Sequence, residues 1–152
     1  NGICVAADKH RIEINRSLLT TEKNIFDKVS IASSICRAAN SIAEQNNAKC
    51  LMVFTSSGNT PLIASKISTS LPIIAPTDSE GVCKIMSLMR GVTPMMMPKK
   101  FSDIARWTDM INIAVRHALN LNWLSKNDTV IVTAGIPIGK SNGINSIRLI
   151  TV

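Results

Sequence analysis

The spacing of apolar positions changes along this chain in a way that divides it into helices and strands. From Asp27 to about Gln45, Val29, Ala32, Ile35, Cys36, Ala39, Ile42 and Ala43 recur at intervals of three and four. That period gathers them on one face of an amphipathic helix, which Asn46-Asn47 ends. The period then collapses into an unbroken apolar run, Cys50 to Phe54, closed by Thr55-Ser56-Ser57-Gly58-Asn59-Thr60. A short continuous run bounded by turn formers fits a strand buried on both faces of a parallel sheet. Helical spacing returns from about Pro61 to Thr69. Pro61 suits a first helical turn, where its missing N–H costs nothing.

The alternation continues downstream. Leu71 to Ala75 reads as a second strand, and Pro76-Thr77-Asp78-Ser79 as a turn that caps a helix from about Glu80 to Met89. Arg90-Gly91 stops that helix, and Val92 to Met97 forms a third strand closed by Pro98. Ser102 is expected to cap a long helix whose inner face is Ile104, Trp107, Ile111, Val115, Ala118 and Leu119. Asn122 suits the left-handed position at its end. Thr129 to Thr133 reads as a fourth strand, Ala134 to Gly143 as a loop and Ser146 to Val152 as a fifth strand. No crossover element separates the last two strands, so the fifth returns antiparallel. Upstream, residues 1 to about 19 read as a helix, and Thr20 to Lys23 as a polar connector.

The expected fold is therefore α/β: a three-layer α/β/α open sheet of five mostly parallel strands, the last antiparallel, preceded by N-terminal helices. Ligands of such sheets bind outside the carboxyl ends of the strands. Two Gly/Ser/Thr loops, 55–60 and 134–143, follow strand carboxyl ends. The first is the better candidate, because N–H groups and the dipole at a helix start favour an anion and hydroxyls add donors. The same residues also suit an ordinary strand-to-helix connection with a Ser or Thr cap. The run is not a P-loop, since no Lys-Ser/Thr pair follows the glycine, and it lacks the glycines of a dinucleotide fingerprint.

Composition narrows the function classes. The chain has 152 residues, 45% of them hydrophobic and 18% charged, which suits one globular domain. Aromatics are 3%, so Ile, Leu, Val, Ala and Met must fill the core, and the seven Met read as core filler. The net charge of +7 invites polyanions. Its basic residues are scattered, however, with Lys99-Lys100 the sole doublet, and no aromatics are interleaved for base stacking. Nucleic acid is therefore not the expected partner. Cysteines at 4, 36, 50 and 83 have no metal-ligand spacing and apolar neighbours, which suits a reduced, cytoplasmic core role. His10 and His117 lack ligand partners at metal spacing, and no apolar run reaches a membrane span. Catalytic residues are scarce: no Ser–His–Asp set or carboxylate pair stands at a strand end, and Asp78 and Asp128 read as turn and cap residues. A binding or regulatory domain fits better than an enzyme.

The runs VFTSSGNTPLIASKIS, LPIIAPT, RGVTPM, NDTVIVTAGIPIG and NSIRLITV, taken in order, resemble the C-terminal domain of pyruvate kinase across residues 25–152. Ile3-Cys4-Val5-Ala6-Ala7-Asp8-Lys9 resembles the end of the last helix of that enzyme's catalytic barrel. Residues 1–24 then correspond to that tail and a connector, and a start at Asn1 suggests a fragment or a processed product. The resemblance implies that the barrel, its active site and its Mg and K ligands are not in this segment, which carries no cofactor of its own. It further implies a cytoplasmic homotetramer, with this domain packed on its own barrel, supplying subunit contacts and binding a phosphorylated effector. Carried over by position, Thr55, Ser56, Ser57, Gly58, Asn59 and Thr60 hold the effector phosphate, and Lys140, Ser141, Asn142 and Gly143 close over it. Many members have Lys or Glu where Ser56 stands and Arg where Asn59 stands, so Lys140 is the only nearby cation. GVTP and RLITV look most like the bacterial branch activated by sugar monophosphates or AMP, which favours a monophosphate over fructose 1,6-bisphosphate.

Overall fold

The structure is a computed structural model, and it describes residues 30–67, 70–136 and 143–152. The expected N-terminal helix, the connector and the barrel tail lie outside the described residues. Helix α1 spans Ile31–Gln45. It starts later than the periodicity suggests, because Ser30 is extended (φ −84°, ψ 151°) and forms a capping box with Ser33. Strand β1, Cys50–Val53, follows, then α2, Asn59–Ile67. Strand β2 is Ile73–Thr77, α3 is Glu80–Met86 and β3 is Val92–Met96. A 3-10 turn at Phe101–Asp103 leads to α4, Trp107–Asn120. Strands β4, Thr129–Ala134, and β5, Ser146–Thr151, close the chain.

The strands form one sheet in the order β3-β2-β1-β4-β5. The first four are parallel, and β5 runs antiparallel to β4 from Thr129↔Thr151 to Ala134↔Ser146. Every residue of β1 and β2 is buried, as expected for interior parallel strands. Alternation along the strands supplies two separate cores. On one face, Cys50, Met52, Ile74, Met95, Val130 and Val132 pack under Met110, Ile111, Ala114 and Ala118 of α4. On the other, Leu51, Val53, Ile73, Ala75 and Ile131 pack under Cys36, Ala39 and Ala43 of α1, Ala64 of α2 and Met86 of α3. The result is the expected three-layer α/β/α sheet. Five of the methionines, Met52, Met86, Met95, Met97 and Met110, are buried, in keeping with their reading as core filler.

Several boundaries differ from the sequence reading. Strand β2 runs two residues later, so Pro76 and Thr77 belong to it and not to a turn. Pro76 has no N–H to offer the ladder, and serves as an acceptor for Thr55 N–H at 3.0 Å, where β1 has already ended. Helix α3 stops at Met86, three residues short of Met89. Ser102 does not cap the long helix; it lies in the 3-10 turn, and its hydroxyl donates to Asp103 Oδ1 at 3.0 Å. Helix α4 begins at Trp107 behind Arg106, which makes no side-chain cap. Asn122 is left-handed as expected, at φ 56°.

Candidate phosphate site at the sheet switch point

Strand β1 is central because the chain leaves it in two directions. From β1 it moves outward through β2 to β3, then crosses through α4 to β4 on the other side of β1. The reversal falls between β1 and β4, the position at which ligands of open α/β sheets commonly bind. The register pairs Val53 with Thr133, and Phe54 N–H donates to Thr133 C=O at 3.0 Å. Thr55 and Gly135 each stand two residues past that pair. The two loops singled out from sequence are thus brought to the same end of adjacent strands.

The first of these loops is built around a buried hydroxyl. Thr55 is 7% exposed, and its Oγ1 accepts from Gly58 N–H at 2.9 Å and Ser57 N–H at 3.3 Å. Thr55 therefore holds the turn together, as a cap does. Ser57 Oγ lies 3.4 Å from Asn59 N–H, a long contact in the first turn of α2. Gly58 is buried and left-handed at φ +82°, the region glycine enters without strain. The side chains of Val82 and Met86 of α3 and of Met89 just beyond it surround Gly58 and form the floor of the turn. Ser56, Ser57 and Asn59 face solvent, and Thr60 is half-buried. The first turn of α2 contains no acidic residue, so nothing there opposes an anion at the positive end of the helix.

The second loop supplies Gly143 at φ +71°, while Lys140, Ser141 and Asn142 lie outside the described residues. The sequence reading missed two residues at its base. A Cβ on Gly135 would lie 2.2 Å from the Gly143 carbonyl oxygen, so the two backbones touch there. Asn145 binds both backbone groups of Ile136 through its side-chain amide. A glycine directly after a strand end was the available signal for the first, and nothing local marked the second.

The remaining chemistry is structural. Asp78 Oδ2 accepts from Phe101 N–H at 2.9 Å, tying the end of β2 to the 3-10 turn, and Asp128 Oδ2 accepts from Ser125 N–H at 2.8 Å. Cys36, Cys50 and Cys83 are free thiols. Burial pushes the Cys36 thiol up to about 11, and burial aided by the Asp128 carboxylate pushes Cys50 up to about 12. Among the described residues no group of three His, Cys, Asp or Glu could hold a metal ion, and no helix is long and apolar enough to cross a membrane. A cavity of about 210 Å³ lined by Lys49, Cys50, Pro72, Ile74, Thr93 and Trp123 opens at the amino ends of β1 to β3. It shares no residue with the Thr55–Thr60 turn, and its apolar lining does not suit an anion.

Comparison with known proteins agrees with this architecture. Residues 33–150 match the family described as pyruvate kinase, alpha/beta domain. A pyruvate kinase of Thermotoga maritima is 31% identical over 127 residues, covering 84% of this chain and 26% of the relative. Pyruvate kinase II of Salmonella typhimurium is 31% identical over 157 residues, covering 99% of this chain and 30% of the relative. A pyruvate kinase of Buchnera aphidicola is 28% identical over 155 residues, covering 99% and 30%. The chain thus spans less than a third of the length of these relatives. By its strand order, its two cores and this match over most of its length, the chain belongs to the pyruvate kinase alpha/beta-domain family.

Proposed function

We propose that this chain is the regulatory and oligomerisation domain of a pyruvate kinase, and that it holds a phosphorylated allosteric effector against the Thr55–Thr60 turn. In this reading the parent enzyme, a cytoplasmic transferase of glycolysis, moves a phosphoryl group from phosphoenolpyruvate to ADP. That reaction, with its Mg and K, belongs to a catalytic barrel on which this domain packs. The observation carrying the effector reading is that the turn, with the α2 N-terminus behind it, and Gly135 follow the same end of adjacent strands at the switch point. Thr55 holds the turn, and the exposed Ser56 and Ser57 and the half-buried Thr60 would donate to phosphate oxygens. By the family resemblance, Lys140, Ser141, Asn142 and Gly143 of the other loop would close over the phosphate. Asn59 contributes no charge, so one phosphate group suits the site better than two, and a sugar monophosphate or AMP is the favoured effector class.

Thermal melting with ribose 5-phosphate, AMP and fructose 1,6-bisphosphate tests this. A ligand at a hundred times its Kd stabilises by about 2.7 kcal/mol, which for a chain of this size raises Tm by about 5–10 °C. Flat curves with all three at millimolar concentration would leave only the assembly role.

That assembly role is the second reading, in which the domain joins subunits of a homotetramer without binding an effector. It is favoured by β5, which lies at the sheet edge with Leu149 44% exposed and offers a free row of backbone groups for strand pairing. Sedimentation decides it: a strictly monomeric species at high concentration would count against it.

A further inference from the structure

The connection between β4 and β5 is closed at its base by one side chain. Asn145 Oδ1 accepts from Ile136 N–H at 2.8 Å, and Asn145 Nδ2 donates to Ile136 C=O. Asn145 N–H donates in turn to Ala134 C=O at 3.1 Å. A primary amide carries a donor and an acceptor side by side, so it matches the N–H and C=O of one residue as a neighbouring strand would. Ile136 and Asn145 both lie just beyond the last ladder pair, Ala134↔Ser146. The side chain therefore continues the pairing beyond the last ladder pair. Beside it, Gly135 admits the Gly143 carbonyl at a distance that no Cβ would allow.

We propose that Asn145 is a positioning residue for the effector site: its amide fixes Gly135, Ile136 and Gly143 at the carboxyl end of β4, beside the Thr55–Thr60 turn. This rests on the effector reading given above. Val53 pairs with Thr133, and Thr55 and Gly135 each follow two residues later, so the two sides of the site leave the sheet at a common level. The β1 side is held from below by α3 and from within by Thr55. On the β4 side, the Asn145 amide takes the place of such a support. Losing it leaves the strands paired but lets that side drift.

Replacing Asn145 with Ala and with Asp separates positioning from simple stability. A protonated carboxyl has an O–H donor beside a C=O acceptor and reproduces the amide pattern. A carboxylate has only acceptors and sets an oxygen against Ile136 C=O. Ribose 5-phosphate is titrated by calorimetry at several values between about pH 3 and pH 8, a range that spans the ordinary aspartate value of about 3.9, and each affinity is divided by that of the unaltered chain at the same pH. This ratio removes the ionisation of the ligand itself. Asn145→Ala is expected to bind about tenfold more weakly throughout, the loss that two neutral hydrogen bonds account for. Asn145→Asp is expected to bind nearly normally at the acid end and to fall to the alanine level or below as its carboxyl ionises. Exchange of the Ile136 amide proton, followed by NMR and treated as the same ratio, should show the same pH dependence. If exchange follows this course while affinity stays unchanged, Asn145 closes a loop and nothing more, and the proposal fails alone. If the unaltered chain takes up none of ribose 5-phosphate, AMP and fructose 1,6-bisphosphate, the effector reading fails and the proposal falls with it.

Discussion

Gly58 and Gly135 stand at the ends of adjacent strands, and each is glycine for a different reason. Gly58 is left-handed, but an added Cβ would meet Val82, Met86 and Met89 at 3.5–3.7 Å, which is ordinary contact. Gly58→Ala should therefore cost only its backbone strain, about 1–2 kcal/mol. Gly135→Ala would drive a Cβ to 2.2 Å from a backbone oxygen. With no flexible side chain to yield, the base of the connection must move, at about 3 kcal/mol. Urea denaturation should rank Gly135→Ala as the more damaging, and the reverse order would contradict the close approach. The turn at 55–60 was readable because hydroxyls and glycine mark chain reversal by their own chemistry. Asn145 was not, because its meaning lies in Ile136, nine residues away.

The thiols give a second residue-scale prediction. Cys36 and Cys50 titrate at about 11 and about 12 when folded, against an unfolded value of 9.0. The folded state retains protons that the unfolded state loses. The stabilising contribution is therefore complete below pH 9 and declines as pH rises through the folded values. Replacing either thiol with Ala should reduce the alkaline fall in stability seen in urea titrations between pH 8 and 11. Of the three described thiols, half-buried Cys83 should be alkylated first by iodoacetamide, as peptide mass mapping would show.

At the scale of elements, the long helix shows where periodicity misleads. Ile104 continues the apolar face of α4 in sequence, yet it lies before the helix and is buried in the core with Phe101. Asp78 holds Phe101 N–H, and Phe54 packs on both Phe101 and Trp107, with ring centroids at 6.0 and 5.4 Å. These tertiary contacts outweigh the local signal of Ser102. The helix consequently starts at Trp107 behind Arg106, without a side-chain cap and with a cation beside its positive end. Arg106→Asp should supply both a cap and the right charge, stabilising by about 1 kcal/mol. Tm should rise by about 2–4 °C, and an unchanged or lower Tm would mean that Arg106 has a stronger partner elsewhere. The displacement of β2 has a related cause. Pro72 looks like a strand opening from sequence, but the burial of Ile73 to Thr77 sets the strand, and Pro76 is admitted because β1 has already turned away.

The whole molecule was the most legible scale. Alternating strand and helix periods with no crossover before the last strand allow few arrangements, and the sheet β3-β2-β1-β4-β5 is one of them. Self-association was less legible, since an edge strand is known as an edge only when the order is known. The exposed edge of β5 makes it testable: Leu149→Lys should leave the fold intact and reduce any self-association measured by sedimentation. Unchanged association would place the contact elsewhere.

The central claim is that the carboxyl ends of β1 and β4 together take a phosphate. A ribose 5-phosphate titration followed through backbone amide resonances tests it most directly. Saturable shifts confined to Thr55–Thr60 and to residues 135–136 and 140–143 are the expected result. Saturable shifts centred on other residues, or none at millimolar ligand, would contradict it.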